Sequence, residues 1–298
     1  DGIEIDSTLD HHLKAGFREE LLLAPEGLEP GPALAPRVRT LRHDIYAPEA
    51  VTAVSAGEAG PNGDVPAELA RRYTLATQDV ALPGLPVTLL KPRNSDDLIS
   101  EADYVRDERL PYWADLWPSS ETLAAFILEQ RLRLAMAPAL ARAAAEGVAP
   151  RAIELGCGLG LPTIAALRVG FDVLATDYYD DALPFAAFNA EHNAGRRPAT
   201  RMVDWTAMPE DLGRFALVLA ADVLYEMRYA PILADVVAKV LAPGGVFLLA
   251  DQGRIALSSF LEEASARGLD WHAALRVEPP PGVAKPSITV YELQWRSA

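Results

Sequence analysis

The sequence predicts an α/β fold: a doubly wound, mostly parallel sheet of seven strands whose last two form an antiparallel hairpin. Three observations carry this expectation. From residue 151 onward, short apolar runs alternate with amphipathic segments, the pattern of a parallel sheet covered by helices on both faces. The first apolar run ends in a glycine-rich turn, RAIELGCGLG (151–160), that opens directly into an alanine- and leucine-rich segment. The last two runs are separated by a proline-rich loop around PPPG and no helix, so they pair with each other at one edge.

Taken in order, residues 1–64 are the least regular. Leu13, Phe17, Leu21 and Leu22 fall at helical spacing behind a capping Ser7 or Thr8. APEGLEPGPALAP and SAGEAGPNGD read as loop or linker, and an interaction tail and an extra packing element fit this region equally. RRYTLATQDVAL, PGLP and VTLLKP then read as a β-hairpin by period and punctuation. An acidic stretch leads into LPYWADLWPSS, where Trp113 and Trp117 are bracketed by Pro111 and Pro118. Ser119 is the expected N-cap of the next helix, with Glu121 in its first turn and Leu123, Phe126, Ile127 and Leu134 on one apolar face. A short helix is expected from Pro138 to Gly147.

Strands are then expected at 151–155, 172–176, 200–203, 215–221, 245–250, 270–277 and 287–295. Helices are expected at 162–169, 179–193, 228–241 and 255–267. The organisation is an N-terminal extension over 1–110 containing the hairpin, followed by the sheet-bearing domain over 111–298.

Composition narrows the function. With 27 Lys and Arg against 42 Asp and Glu, the formal charge is −15, which argues against sequence-independent nucleic-acid binding. An acidic surface keeps a protein soluble, and it also steers basic partners such as a lysine-bearing protein surface. No apolar run reaches the roughly 18 residues of a membrane span. Nothing at the start resembles a signal peptide, and the single cysteine, Cys157, fits a reducing, cytoplasmic setting. Five scattered histidines make no metal spacing, and no metal is expected.

The chemistry gathers at the glycine turn and the strand ends. Gly156, Gly158 and Gly160 permit positive φ and remove the Cβ atoms that would hold a ligand off the backbone. Their spacing, GxGxG, departs from the GxGxxG of dinucleotide sites. Glu154 at the mouth of the turn would repel a pyrophosphate and suits a ligand carrying an amino group or a sulfonium. In a doubly wound sheet ligands bind beyond the carboxyl ends of the strands. There stand Asp177, placed to accept ribose hydroxyls; Asp204 and Trp205, suited to an adenine amine and its face; Asp222, Tyr225 and Glu226; and Asp251 with Arg254. Cys157 has no histidine near it in sequence and reads as a small residue packed under the turn.

ELGCGLG, then TD, DW and ADVLYE, behind PYWADLWPSS, resemble the seven-β-strand, Rossmann-like S-adenosylmethionine-dependent methyltransferases over residues 111–295. Within them the tryptophan-bearing segment and ADVLYE are most similar to the protein-lysine methyltransferases that include the enzymes of the electron-transfer flavoprotein β subunit. The resemblance implies S-adenosylmethionine as cofactor and S-adenosylhomocysteine as product. It implies that Glu154, Gly156, Gly158 and Gly160 hold the methionine part, Asp177 the ribose, Asp204 and Trp205 the adenine, and Trp117 a wall of the cofactor site. Asp222, Tyr225 and Glu226 are implied to face the amine of a protein lysine. Whether the acids act as a base or only position the amine stays open, as does oligomeric state. Other readings of the same residues are a small-molecule N-methyltransferase and a non-catalytic S-adenosylmethionine-binding scaffold; Glu154 and the glycine spacing disfavour a nicotinamide dehydrogenase.

Overall fold

The computed structural model describes residues 51–54, 59–60, 63–99, 110–130, 146–147 and 149–296. The helix expected near Leu13–Leu22 lies outside these residues, as does nearly all of the one expected after Pro138.

The central sheet has the strands β6 (Arg151–Leu155), β7 (Asp172–Asp177), β8 (Ala199–Met202), β9 (Phe215–Ala221), β10 (Leu241–Asp251), β11 (Leu269–Val277) and β12 (Ile288–Trp295). Their spatial order is β11-β12-β10-β9-β6-β7-β8. The ladders from β10 to β8 are parallel, and β12 runs antiparallel between β10 and β11. The order reverses between β6 and β9, so the crevice at their carboxyl ends is the natural ligand position of this architecture. The seven strands fall within a few residues of the expected bounds; the inner ones, such as β6, β7 and β9, are buried apolar runs closed by a glycine or an acid.

Strand β9, FALVLAA, illustrates how the sheet is sandwiched. Leu217 and Leu219 point into one core, with Leu123 of α2 (Pro118–Glu129), Ile164 of α3 (Leu161–Arg168) and Phe185 of α4 (Ala182–Ala194). Val218 and Ala220 point into the other, with Leu233 and Val237 of α5 (Tyr229–Val240) and Phe260 of α6 (Leu257–Ala266). Alternation with both faces buried is what makes the run apolar throughout. Helix α2 is likewise buried nearly all round rather than along one face. Its N-cap is Trp117, with Pro118 as first helical residue; Ser119, expected to cap, is fully buried and its hydroxyl has no hydrogen-bond partner.

Ahead of the sheet, β4 (Leu75–Leu82) and β5 (Leu85–Pro92) form the expected hairpin around a two-residue turn, Pro83 and Gly84. Strand β1 (Val51–Val54) adds to the far side of β4, β2 (Ala59–Gly60) pairs β3 (Gly63–Asp64), and a short helix, α1 (Ala67–Arg72), leads in. The sequence did not signal α1, since only Leu69 of its six residues is buried. The hairpin shares a core with the sheet, and its open edge is capped by side chains. From α4, Asn189 Oδ1 accepts the N–H of Leu90 at 2.7 Å while its Nδ2 donates to the carbonyls of Leu90 and Leu159, both at 3.0 Å. One turn on, Asn193 accepts from the N–H of Thr88 and donates to its carbonyl. Two amides at i and i+4 thus stand in for a missing neighbouring strand. Asn189→Leu leaves three buried backbone groups unpaired, and at about 1 kcal/mol or more each we expect a loss of about 3 kcal/mol or more. Urea denaturation should show it as a lowered midpoint, with a smaller effect for the partly exposed Asn193→Ala.

Candidate active site

The turn after β6 is pinned from below, the N–H groups of Gly156 and Cys157 both donating to the carbonyl of Thr176 on β7, at 2.9 and 2.8 Å. Gly158 and Gly160 hold φ of +48° and +81°. A Cβ on Gly158 would lie 3.1 Å from the carbonyl oxygen of Trp113, and one on Gly160 would lie 3.0 Å from Ala186 of α4. What approaches these glycines most closely is therefore the protein itself: the PYW segment and a packed helix. Packing within the protein is thus a reason for glycine there beside the ligand approach expected from the sequence.

Two buried acids sit around the turn. Glu154, 1% exposed, accepts from the Thr163 hydroxyl at 2.5 Å, and burial pushes its carboxyl up to about 8. Asp177 accepts the N–H of Gly158 at 2.9 Å and that of Tyr179 at 2.9 Å; burial raises it, and these backbone donors work against the rise. Both line one cavity at the carboxyl end of the sheet. Cys157 lies in the same wall, and burial pushes its thiol well above the usual range, so it stays an unreactive thiol.

An arc of five rings makes the opposite wall. Trp117 meets Tyr112 edge-on with centroids 5.8 Å apart, Tyr112 meets Tyr225 at 5.4 Å, Tyr225 meets Tyr229 at 5.5 Å, and Tyr229 meets Trp205 at 5.7 Å. The Trp117 indole N–H donates to the carbonyl of Tyr112, which ties the PYW segment to the start of α2. Lys91 of β5, paired with Asp115 at 3.1 Å, ties the same segment to the hairpin. At one end of the arc Asp204 caps a helical turn, accepting from the N–H and hydroxyl of Thr206, beside Trp205.

At the other end lies Asp222, the one non-glycine residue with positive φ (59°) among the described residues. Aspartate tolerates this left-handed conformation better than most side chains. The Asp222 N–H reaches across to the carbonyl of Ala250, and its carboxylate is 3% exposed. Oδ1 accepts from Arg254 Nε and Oδ2 from Gln252 Nε2, both at 2.8 Å. The Arg254 guanidinium also stands 5.2 Å from the centre of the Trp117 ring. Burial alone would lower Arg254, and Asp222 and Asp251 more than offset it. Asp251 in turn accepts the N–H groups of Gly253 and Arg254, which fixes the loop that carries the arginine.

Of the residues expected from sequence, Trp117, Glu154, Gly156, Gly158, Gly160, Asp177, Asp204, Trp205, Asp222 and Tyr225 all line this one cavity. Glu226 is not among the lining residues; its carboxylate pairs with Arg228 at 2.7 Å, and its side chain is 32% exposed. Tyr112 and Tyr229 line the cavity without having been assigned roles, and nothing in their spacing marked them. Arg254 was visible only as a polar residue past a strand. Among the described residues there is no group of three or more His, Cys, Asp or Glu that could hold a metal ion, and no helix is long and apolar enough to cross a membrane.

Sheet order, a single inserted antiparallel strand, an acid before the glycine turn and acids after the following strands together define an S-adenosylmethionine-dependent methyltransferase. More narrowly, the chain belongs to the lysine methyltransferase family, whose sequence pattern matches residues 107–267. It is 28% identical over 190 residues to the electron transfer flavoprotein beta subunit lysine methyltransferase of Xenopus laevis, covering 63% of this chain and 70% of that one. It is 33% identical over 132 residues to the ubiquinone biosynthesis O-methyltransferase of a Caulobacter strain, of which it spans 50%, with 43% of this chain covered. Among solved structures, an S-adenosylmethionine-dependent methyltransferase from Clostridium acetobutylicum superposes with a TM-score of 0.46 at 13% identity, covering 66% of this chain and 97% of that one.

Proposed function

We propose that the cavity holds S-adenosylmethionine against the glycine turn and delivers its methyl group to a lysine side chain of a protein substrate in the cytoplasm. The observation that carries this reading is the chemistry at the two ends of one cavity: acids buried around a backbone turn at one, and a carboxylate, an arginine and tyrosine rings at the other. The donor set fits the cofactor. Glu154 suits the methionine ammonium, Asp177 keeps lone pairs for ribose hydroxyls beyond its two backbone donors, and Asp204 beside Trp205 suits adenine. An acidic chain with a single, buried thiol supports a basic protein partner and a reducing compartment, and argues against nucleic acid.

When bound, the cofactor supplies an electrophilic methyl group: the lysine nitrogen forms a bond to the methyl carbon as the carbon–sulfur bond breaks, and the bonding pair stays on sulfur. The rest is positioning by the chain. Asp222 orients the amine, which must come within about 3 to 3.5 Å of the methyl carbon in line with sulfur. Tyr112 and Tyr225 exclude water from that line. Glu226, paired with Arg228 outside the cavity lining, contributes to the loop that presents Tyr225 and to the approach of a basic substrate rather than to the reacting atoms.

With tritium-labelled S-adenosylmethionine and a dialysed cell lysate as the source of acceptors, we expect label in protein that hydrolyses to methyl-lysine. Label confined to small molecules would overturn the protein-lysine reading in favour of a small-molecule methyltransferase. Absence of any transfer despite S-adenosylhomocysteine binding would favour a binding scaffold.

A further inference from the structure

Arg254 poses a chemical problem. Among the described residues that line the cavity it is the one cation, set among the acids Asp115, Glu154, Asp177, Asp204 and Asp222. It stands at the amine end, with its side chain 11% exposed, and is held from three directions. Asp222 takes its Nε at 2.8 Å, Asp251 accepts its backbone N–H at 2.7 Å, and the Trp117 ring lies 5.2 Å away. Among the described residues, the charged and titratable groups facing it include Asp222 from the loop after β9, Asp251 from the end of β10, and Tyr112 from the segment before α2. Gln252 takes the other oxygen of Asp222 and carries no charge. A binding pocket for an ammonium would be expected to leave its carboxylate unneutralised.

A lysine amine is a nucleophile only when neutral, and its ordinary pKa is near 10.4. An unpaired Asp222 would favour the ammonium and push that pKa further up. An Asp222–Arg254 pair has no net charge, keeps a lone pair on each carboxylate oxygen to accept an amine N–H, and leaves desolvation by the tyrosine and tryptophan rings to favour the neutral amine.

We propose that Arg254, by neutralising Asp222, sets the protonation state of the target amine, so that a protein lysine gives its proton to solvent on entering the site and reaches the methyl group as a neutral nucleophile. Arg254 is in this sense a positioning and tuning residue acting through Asp222. The inference rests on the placing of the lysine amine beside Asp222.

The test is the pH dependence of methyl transfer with the full chain, tritiated S-adenosylmethionine and dialysed lysate proteins, reading methyl-lysine after hydrolysis. Wild type should rise with pH along a limb whose midpoint lies below 10.4. Arg254→Gln unmasks the carboxylate and should move the midpoint upward by about one pH unit or more, as expected for an opposite charge beside the amine. Arg254→Lys, which keeps the charge, should leave it in place. The double variant Asp222→Asn with Arg254→Gln, neutral again, should bring the midpoint back toward wild type even though its rate stays low. A limb that stays put in Arg254→Gln, with the rate falling equally at every pH, would overturn the tuning role and leave a strut. Faster transfer by Arg254→Gln at neutral pH would overturn it in favour of a gate that lysine must displace. No methyl-lysine from wild type would overturn the lysine-acceptor placement itself. If Arg254→Gln fails to fold, the double variant against wild type still decides: with the pair removed on both sides its limb must match, and a limb displaced by about a unit overturns the proposal.

Discussion

Replacing Asp222 with alanine is expected to lower methyl transfer by on the order of a hundredfold or more while leaving S-adenosylhomocysteine affinity within a few-fold of wild type. Both oxygens of this carboxylate are held, by Arg254 and Gln252, so its position is set to a degree that a flexible surface acid lacks. In the proposed mechanism its loss removes the acceptor that orients the amine, and a nitrogen misplaced by about 1 Å is enough for such a drop. Its removal also leaves Arg254 buried without its counter-charge, so Asp222→Asn, which keeps the shape, is the companion variant. Radiometric transfer and calorimetry with S-adenosylhomocysteine separate the outcomes. Equal losses in transfer and in cofactor affinity would reassign Asp222 to the cofactor end or to the fold.

Glu154→Gln is expected to weaken S-adenosylmethionine binding roughly 10- to 100-fold above pH 8, the cost of losing a hydrogen bond to a charged partner. The more telling effect is on protons. With its carboxyl near 8 in the free protein, Glu154 is mostly protonated at pH 7, and a cationic ligand favours the ionised form. Binding at pH 7 should therefore release close to one proton, and affinity should rise with pH until about 8 and then level off. Calorimetry in two buffers of different ionisation enthalpy measures this directly, and binding by wild type without proton release at pH 7 would remove Glu154 from the ligand's charge. The same shift predicts stability. A carboxyl raised in the folded state binds more protons there than in the unfolded chain, so the unliganded protein should lose stability as pH rises from about 4.5 to about 8. Asp251, raised by burial and by Asp222 beside it, adds to the slope in the same direction. Glu154→Gln removes its share and should be the more stable protein at alkaline pH, while binding cofactor poorly.

Much of this cavity's lining is legible in the sequence. Ten of the eleven expected site residues converge on a single cavity because acids, glycines and aromatics placed just past successive parallel strands are brought to one edge by the topology itself. Glu226 is the exception: one residue beyond Tyr225 on an irregular loop, its direction depends on the turn, and the turn aims it at Arg228. The glycine turn was read for its ligand, and its tertiary neighbours Trp113 and Ala186 proved equally demanding. Residue type points to Ser119 as the cap, but the cap is Trp117 and the helix starts two residues earlier than expected, at Pro118, which leaves the Ser119 hydroxyl buried.

The sequence by itself determined the strand and helix order from residue 151 onward, the sheet with its late hairpin, and the acidic charge. These depend on period, composition and residue type, which are local. Only the tertiary structure decided that Asn189 joins the hairpin to the glycine turn, that five rings from three separate segments form one wall, and that Arg254 neutralises Asp222. Each of those depends on side chains tens of residues apart meeting at hydrogen-bond or ring-contact distance. Spacing along a chain carries no such information until the sheet has closed.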